Sequence, residues 1–311
     1  MNRESLDDYR WLVSDDAKTY LEDAAEHNGS LVRVTLALRK QLGATRTHLV
    51  IAQTELRRRA SVKFGHASRM FFTRQLLEQA TDEQIAGYKA SRLAEGESVV
   101  DLCCGIGGDL MALARRGPAT AVDKVPLALL LAEANCKANG LEVDPFCEAD
   151  ASDWDVRRCQ AWHLDPDRRP EGSRTTRTEA HEPGSAAIDR LLSANPNGVV
   201  KLAPATRAQE NWTQRAEREW VGNRRECRQQ LLWFDTLARY PGQHVATVFA
   251  GGGPPHVVHG VPGNPTQVAD QLGRYVFEPH AAVLAARLAG QLSARHKLPC
   301  VSPSIPYLTG D

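Results

Sequence analysis

With 311 residues, 42% of them hydrophobic and 24% charged, the chain has an ordinary globular composition and enough length for two or three domains. Lysine plus arginine and aspartate plus glutamate number 38 each, so no global field attracts nucleic acid and any such site must come from local patches. Seven cysteines, one adjacent pair and the rest scattered, show no metal spacing and fit a reduced, cytoplasmic compartment.

The acidic N-terminus has no apolar signal core, no apolar run reaches membrane-spanning length, and no internal repeat is visible. Residues 1–66 read as a helical domain. Ser14 is expected to cap a helix through Leu21, and Ser30 a second one with Leu31, Val34, Leu38 and Leu42 on one face, ended by Gly43. Thr47 opens a third helix running into Arg57-Arg58-Arg59, a solvated face or a phosphate contact. A bridge follows, with Met70, Phe71 and Phe72 as packing or pocket residues. Thr81 with Gln84 forms a capping box, and Gly96 closes that helix.

From residue 97 strands and helices alternate, as in a parallel sheet with crossover helices. Strands are expected at 97–102, 119–123, 144–147, 161–165 and 198–202, with helices at 108–116, 128–139 and 185–193. A polar stretch, 166–184, reads as a mobile loop on the acceptor side. A strand at 217–221, a helix at 226–237 and a strand at 244–250 would complete a seven-stranded, mostly parallel sheet. After the Gly251–Pro255 punctuation, a strand at 275–279 and a helix at 280–296 make a small α+β appendage. The expected domains are 1–66, 67–253 and 254–311.

The first strand ends in Asp101, and Cys103-Cys104-Gly105-Ile106-Gly107-Gly108 follow as a glycine-rich turn into a helix. Such a turn offers backbone N–H groups and a helix N-terminus to a nucleotide-like ligand, and glycine lets the chain come close to it. A dinucleotide fingerprint wants a third glycine three residues after Gly107, but Leu110 stands there. Asp101 is placed to orient a charged amino-acid end, and Asp123 to accept from ribose hydroxyls. Asp150 falls where an adenine edge would lie. Three acids closing three successive strands suit the cationic S-adenosylmethionine better than a pyrophosphate. Asp109 reads as a first-turn acid favoured by the helix dipole.

These residues, with Asp165-Pro166-Asp167-Arg168-Arg169, resemble the class I S-adenosylmethionine-dependent methyltransferases, an α/β, Rossmann-like fold. The nearest resemblance is to bacterial RNA methyltransferases with a THUMP-like C-terminal region, whose core is similar to trimethylguanosine synthase. It extends over about 60–300, taking in Arg69–Arg74, Glu78–Thr81, Glu219–Val221 and Tyr275–Pro279. The resemblance implies a cofactor set of Thr81, Asp101, Cys103, Gly105, Ile106, Gly107, Asp123, Lys124, Asp150 and Ala151. It implies Asp165 and Pro166 beside the transferred methyl, and Arg168 and Arg169 on the substrate. Arg168 stands where trimethylguanosine synthase has a guanine-stacking aromatic, so cap hypermethylation is not implied. The family continues into a basic THUMP-like end, whereas this chain stops at Asp311, as a shortened member or a cut one.

RNA is the expected substrate, although the zero net charge gives it no support. The alternatives are a small molecule or protein acceptor, and an inactive donor-binding scaffold. His256 and His259, without cysteine or acid support, are read as surface residues, and no metal is expected. The oligomeric state is open.

Overall fold

The computed structural model describes residues 4–26, 31–167, 176–263, 265, 267–302 and 305–311. The chain forms two compact units, Met1–Trp154 and Asp155–Asp311.

The first unit opens with α1, Leu6–Leu12, capped at Ser5: its side chain accepts from the Asp8 N–H while the Asp8 carboxylate takes the Ser5 N–H. Helix α2, Lys18–Glu26, follows the tight turn Asp15–Ala17. Ser14 does not cap it; its hydroxyl donates to Trp11 O instead. Ser30 lies outside the described residues. In α3, Leu31–Ala60, Gly43 adopts φ 72° and breaks the regular helix, and the Thr47 hydroxyl donates to its carbonyl at 2.6 Å. The two helices expected on either side of Gly43 are thus both present, joined end to end across this break. Tyr9, Leu12, Leu21, Leu49 and Val50 share a single buried core with Ile106, Leu110 and Leu131, so the N-terminal helices close over the sheet's own helices.

Helices α4, Arg74–Gln79, and α5, Glu83–Ser91, lead to the sheet. The expected capping box is displaced by one residue: Asp82 caps α5 by accepting from the Ile85 N–H, because Thr81 is engaged elsewhere. Then come β1, Val99–Leu102, α6, Leu110–Ala114, β2, Ala119–Asp123, α7, Pro126–Ala138, and β3, Phe146–Glu148. The strands run parallel in the order β3-β2-β1. All four β1 residues are buried, as a parallel strand covered on both faces requires.

The second unit contains β4, Ala161–Leu164, α8, Ser185–Ala194, β5, Gly198–Leu202, α9, Glu210–Thr213, β6, Glu217–Asn223, β7, Glu226–Trp233, β8, His244–Phe249, and β9, His256–Gly260. Their order is β4-β5-β7-β6-β8-β9, with β7 and β9 antiparallel to their neighbours. The main strands number three in one unit and six in the other, with mixed direction, which corrects the expected seven. The expected helix at 226–237 is strand β7. Its glutamines, arginine and leucines favour helix, but the tight Asn223–Glu226 turn sends the chain straight back along β6. There Gln229–Trp233 are buried as a central strand.

Beyond β9 lie β10, Tyr275–Phe277, α10, Ala281–Ala285, α11, Ala289–His296, β11, Cys300–Ser302, and β12, Ile305–Gly310. The expected helix at 280–296 is broken at Arg287, whose φ is 56°. Helix α10 packs on β6, β7 and β8, and β10-β12-β11 form a separate antiparallel sheet. Among the described residues no helix is long and apolar enough to cross a membrane.

His244 on β8 is buried, with Nδ1 2.6 Å from the Ala286 carbonyl, Nε2 against the Arg218 guanidinium and its ring 4.8 Å from Trp220. The carbonyl can only accept, so Nδ1 carries the proton. Burial lowers its pKa below the ordinary 6.5, and the Arg218 and Arg287 charges push the same way against the Ala286 bond. The unfolded chain therefore takes up a proton below pH 6.5 that folded His244 refuses, and stability falls as the pH drops through that range. The slope is at most about 1.4 kcal/mol per pH unit for this one group. His244→Gln is expected to flatten the urea-unfolding profile between about pH 7 and 5 relative to the unsubstituted chain.

Candidate functional site

In the first unit the parallel register puts the predicted acids at one end of adjacent strands. Asp101 is the third residue of β1 and lies beside Ala121, Asp123 ends β2, and Asp150 follows β3 by two residues. That carboxyl end is where α/β sheets take their ligands.

The turn after β1 is tightly specified. Cys103 and Gly105 have φ of 62° and 56°, and the Gly105 N–H donates to Asp123 Oδ2 at 2.9 Å. Asp123 Oδ1 accepts from the Val125 N–H, also at 2.9 Å, so this carboxylate joins the glycine turn to the start of α7. Its pKa is raised, first by burial and then by the Asp101 charge, against the two backbone bonds. A Cβ built on Gly105 meets nothing within 4 Å, so the turn leaves open space at that position. At Gly108 the chain closes in: a Cβ there would stand 3.1 Å from the Thr81 carbonyl. Ile106 is buried, and burial with the Asp101 and Asp123 charges raises the Cys104 thiol well above its usual range, which makes it inert. Lys124 is exposed beside Asp123. The Asp150 carboxylate accepts from the Ser152 N–H at 2.7 Å, which lowers its pKa, and Ala151 is buried in the same turn.

Several residues that hold this turn carry no motif. Asn135 of α7, fully buried, accepts from the Phe71 N–H at 2.6 Å and donates to the Phe71 and Ile106 carbonyls at 3.0 Å. It ties the glycine turn to the segment before α4. Arg57 donates to Met70 O and lies 4.9 Å from the Phe71 ring; burial lowers its pKa to about 10. Arg58 and Arg59 face solvent, as a solvated helix face would. Met70 and Phe72 are core residues, while Phe71 is half-buried.

Asp109 corrects an expectation. It makes no cap bond at α6; its carboxylate is paired with Lys89 of α5 at 2.5 Å and accepts from the Thr81 hydroxyl at 2.7 Å. Lys89 is 2% exposed, so this is a buried, charge-assisted network rather than a dipole contact. It also explains why Thr81 leaves the cap position to Asp82. Nothing local in the sequence of α5 marks Lys89 as buried, so this partner was not legible there.

In the second unit Asp165 and the buried Pro166 follow β4. Leu164 pairs with Val200, which sets Asp165 beside Lys201 of β5; their Oδ2 and Nζ lie 2.5 Å apart. Lys201 was not anticipated, although a lysine within Val199-Val200-Lys201-Leu202 is an odd residue for a central strand. Asp167 and Glu182 exchange backbone bonds of 2.8 and 2.9 Å. Arg168 and Arg169 lie outside the described residues. His259 stacks on Tyr240, centroids 3.9 Å apart, and His256 is exposed; among the described residues no cluster of His, Cys, Asp or Glu fits a metal.

No family model matches the chain. Two uncharacterised S-adenosylmethionine-dependent methyltransferases of Mycobacterium tuberculosis, from strains CDC 1551 / Oshkosh and ATCC 25618 / H37Rv, are 31% identical to it over 283 residues, 84% of this chain and 74% of each relative. The crystal structure of a candidate methyltransferase from Porphyromonas gingivalis W83 matches with a TM-score of 0.73 and 20% identity, covering 96% of this chain and 79% of that one, a likeness of fold. With that identity over that length, the chain belongs to the S-adenosylmethionine-dependent methyltransferases.

Proposed function

We propose that the chain methylates a base in RNA, with the first unit holding the donor and Asp165 serving the acceptor. A Cβ at Gly105 would meet nothing within 4 Å, the Gly105 N–H is held by Asp123, and Asp101 and Asp150 stand at the same end of the neighbouring strands; this open backbone beside three acids suits the donor. When bound, S-adenosylmethionine supplies an electrophilic methyl on a sulfonium.

In this reading Asp101 orients the amino-acid end, and Gly105 and Gly107 admit it with the backbone of Cys103 and Ile106. Asp123 accepts from the ribose, with Lys124 alongside, and Asp150 and Ala151 border the adenine. Thr81, its hydroxyl committed to Asp109, supports the turn from behind. Seven scattered cysteines without a disulfide-framework spacing are in keeping with a cytoplasmic enzyme.

The observation that carries the catalytic reading is the Asp165–Lys201 pair. The lysine ammonium donates to Oδ2 and fixes the carboxylate in place. Oδ1 would accept a hydrogen bond from the acceptor's amine and take up the proton that the amine gives up when the methyl leaves the donor's sulfur for its nitrogen. Pro166 fixes the backbone as the chain leaves the strand and so limits the positions that Asp165 can take. The assignment to RNA rests on the Asp165–Arg169 segment and its likeness to the THUMP-like group, with Arg168 and Arg169 gripping phosphate or stacking on a base. Residues 67–253 would then be the methyltransferase domain between the helical 1–66 and the THUMP-like 254–311. The equal numbers of acids and bases favour a second reading, a small-molecule or protein acceptor.

Labelled methyl transfer to bulk RNA is expected, abolished by ribonuclease. Asp165→Ala should cut turnover by roughly 10²–10⁴-fold with donor affinity unchanged. Transfer that survives ribonuclease would replace RNA by the second reading. Unchanged turnover in the variant would remove Asp165 from the chemistry.

A further inference from the structure

Strand β10 is an edge strand: β12 covers one side, and among the described residues no strand pairs with the other. Tyr275, Val276 and Phe277 are 52%, 53% and 42% exposed, leaving an apolar strand open on both faces. Edges of this kind are usually blunted by lysine, proline or a bulge, and β10 has none of these.

The next strand fixes where the backbone of β10 points. Thr309, opposite Val276, donates its N–H to Pro299 O at 3.0 Å, away from β10. The Val276–Thr309 pair is therefore a non-hydrogen-bonded one, and Val276 turns its own N–H and C=O to the open edge.

Around Val276 the sequence Arg274-Tyr275-Val276-Phe277-Glu278 is complementary to itself. With two copies antiparallel and Val276 on the two-fold axis, the valines exchange two N–H···O=C bonds. Tyr275 then faces the partner's Phe277, and Arg274 faces the partner's Glu278. Aromatic pairs and opposite charges across a strand pair are both favourable. The charged ends are already held at the strand: Glu278 accepts from the Tyr307 hydroxyl at 2.9 Å, and the Arg274 guanidinium lies 5.9 Å from the Tyr275 ring.

We infer that β10 pairs with β10 of a second copy of this chain, joining two three-stranded sheets into one through a two-fold, self-complementary contact. A nucleic acid is a poorer occupant. One charge of each sign flanks the strand where phosphates would call for an excess of cations, and the Tyr275 and Phe277 rings are tilted by 46° at 6.2 Å.

Sedimentation of the full chain over a concentration series tests this. A monomer–dimer equilibrium is expected, weakened by about tenfold or more in either Arg274→Glu or Glu278→Arg, because each single reversal sets two like-charged pairs across the axis. The double reversal restores attraction and should restore the dimer, which a merely damaged strand would not do. Val276→Pro, which removes the N–H at the axis, should also abolish it. A chain that stays monomeric at every concentration overturns the inference, as does a dimer indifferent to the single reversals. So does a monomer that binds single-stranded RNA and loses that binding in Tyr275→Ala/Phe277→Ala.

Discussion

Replacing Lys89 by methionine is expected to destabilise the first unit by about 3–5 kcal/mol, the cost of leaving a buried carboxylate without its partner. The lysine is 2% exposed, its ammonium is 2.5 Å from Asp109, and the Thr81 hydroxyl donates to the same carboxylate. Methionine matches the aliphatic stem, so packing is nearly conserved and the lost charge dominates. The unfolding midpoint should fall by roughly 6 °C or more for a unit of this size. Lys89→Met/Asp109→Asn should recover part of that loss, since no uncompensated charge remains buried. The reason for such a costly pair lies in its position. It joins α5 to the residue that ends the glycine turn and so holds the turn's far side. A midpoint unchanged in the single variant would mean that Asp109 finds water or another cation, and the turn would have a different support.

Gly105→Val should weaken donor binding at least about 100-fold, on the order of 3 kcal/mol. The valine methyls would project into the space that the turn keeps open, and a β-branched residue at φ 56° carries strain of its own. The two effects separate with Gly140→Val. Gly140, just after α7, also has positive φ and open space around it, but lies outside the turn. It should pay the strain and keep the donor. Photo-crosslinking of labelled donor to both variants reads the difference directly. Equal labelling of the two would show that the cradle at Gly105 is not where the donor lies.

How far the sequence disclosed this molecule depends on the kind of signal. The segment from β1 to α7 was legible because apolar strands, a glycine turn and amphipathic helices follow one another with clear punctuation. The same pattern placed Asp101, Asp123 and Asp150 at one end of adjacent strands. Strand β7 was not legible. Glu226–Trp233 has helix-favouring residues, and only the pairing of Glu219 with Leu231 and of Val200 with Leu232 makes it a strand. Polar groups with distant partners were hidden in the same way. Asn135 reaches Phe71 across 64 positions, Lys201 meets Asp165 across 36, and Asp109 finds Lys89 rather than its own helix. Local propensity gives an acid at a helix start a cap or a dipole role; a buried cation nearby outbids both.

The central claim is that the first unit holds S-adenosylmethionine at the carboxyl end of β1–β3. Calorimetric titration of the full chain with S-adenosylmethionine, and separately with NAD, tests it most directly. One donor bound per chain and no heat from NAD are expected, since Leu110 is fully buried where a dinucleotide turn needs its third glycine. Binding of NAD in place of the donor, or no donor binding by the folded chain, would contradict it.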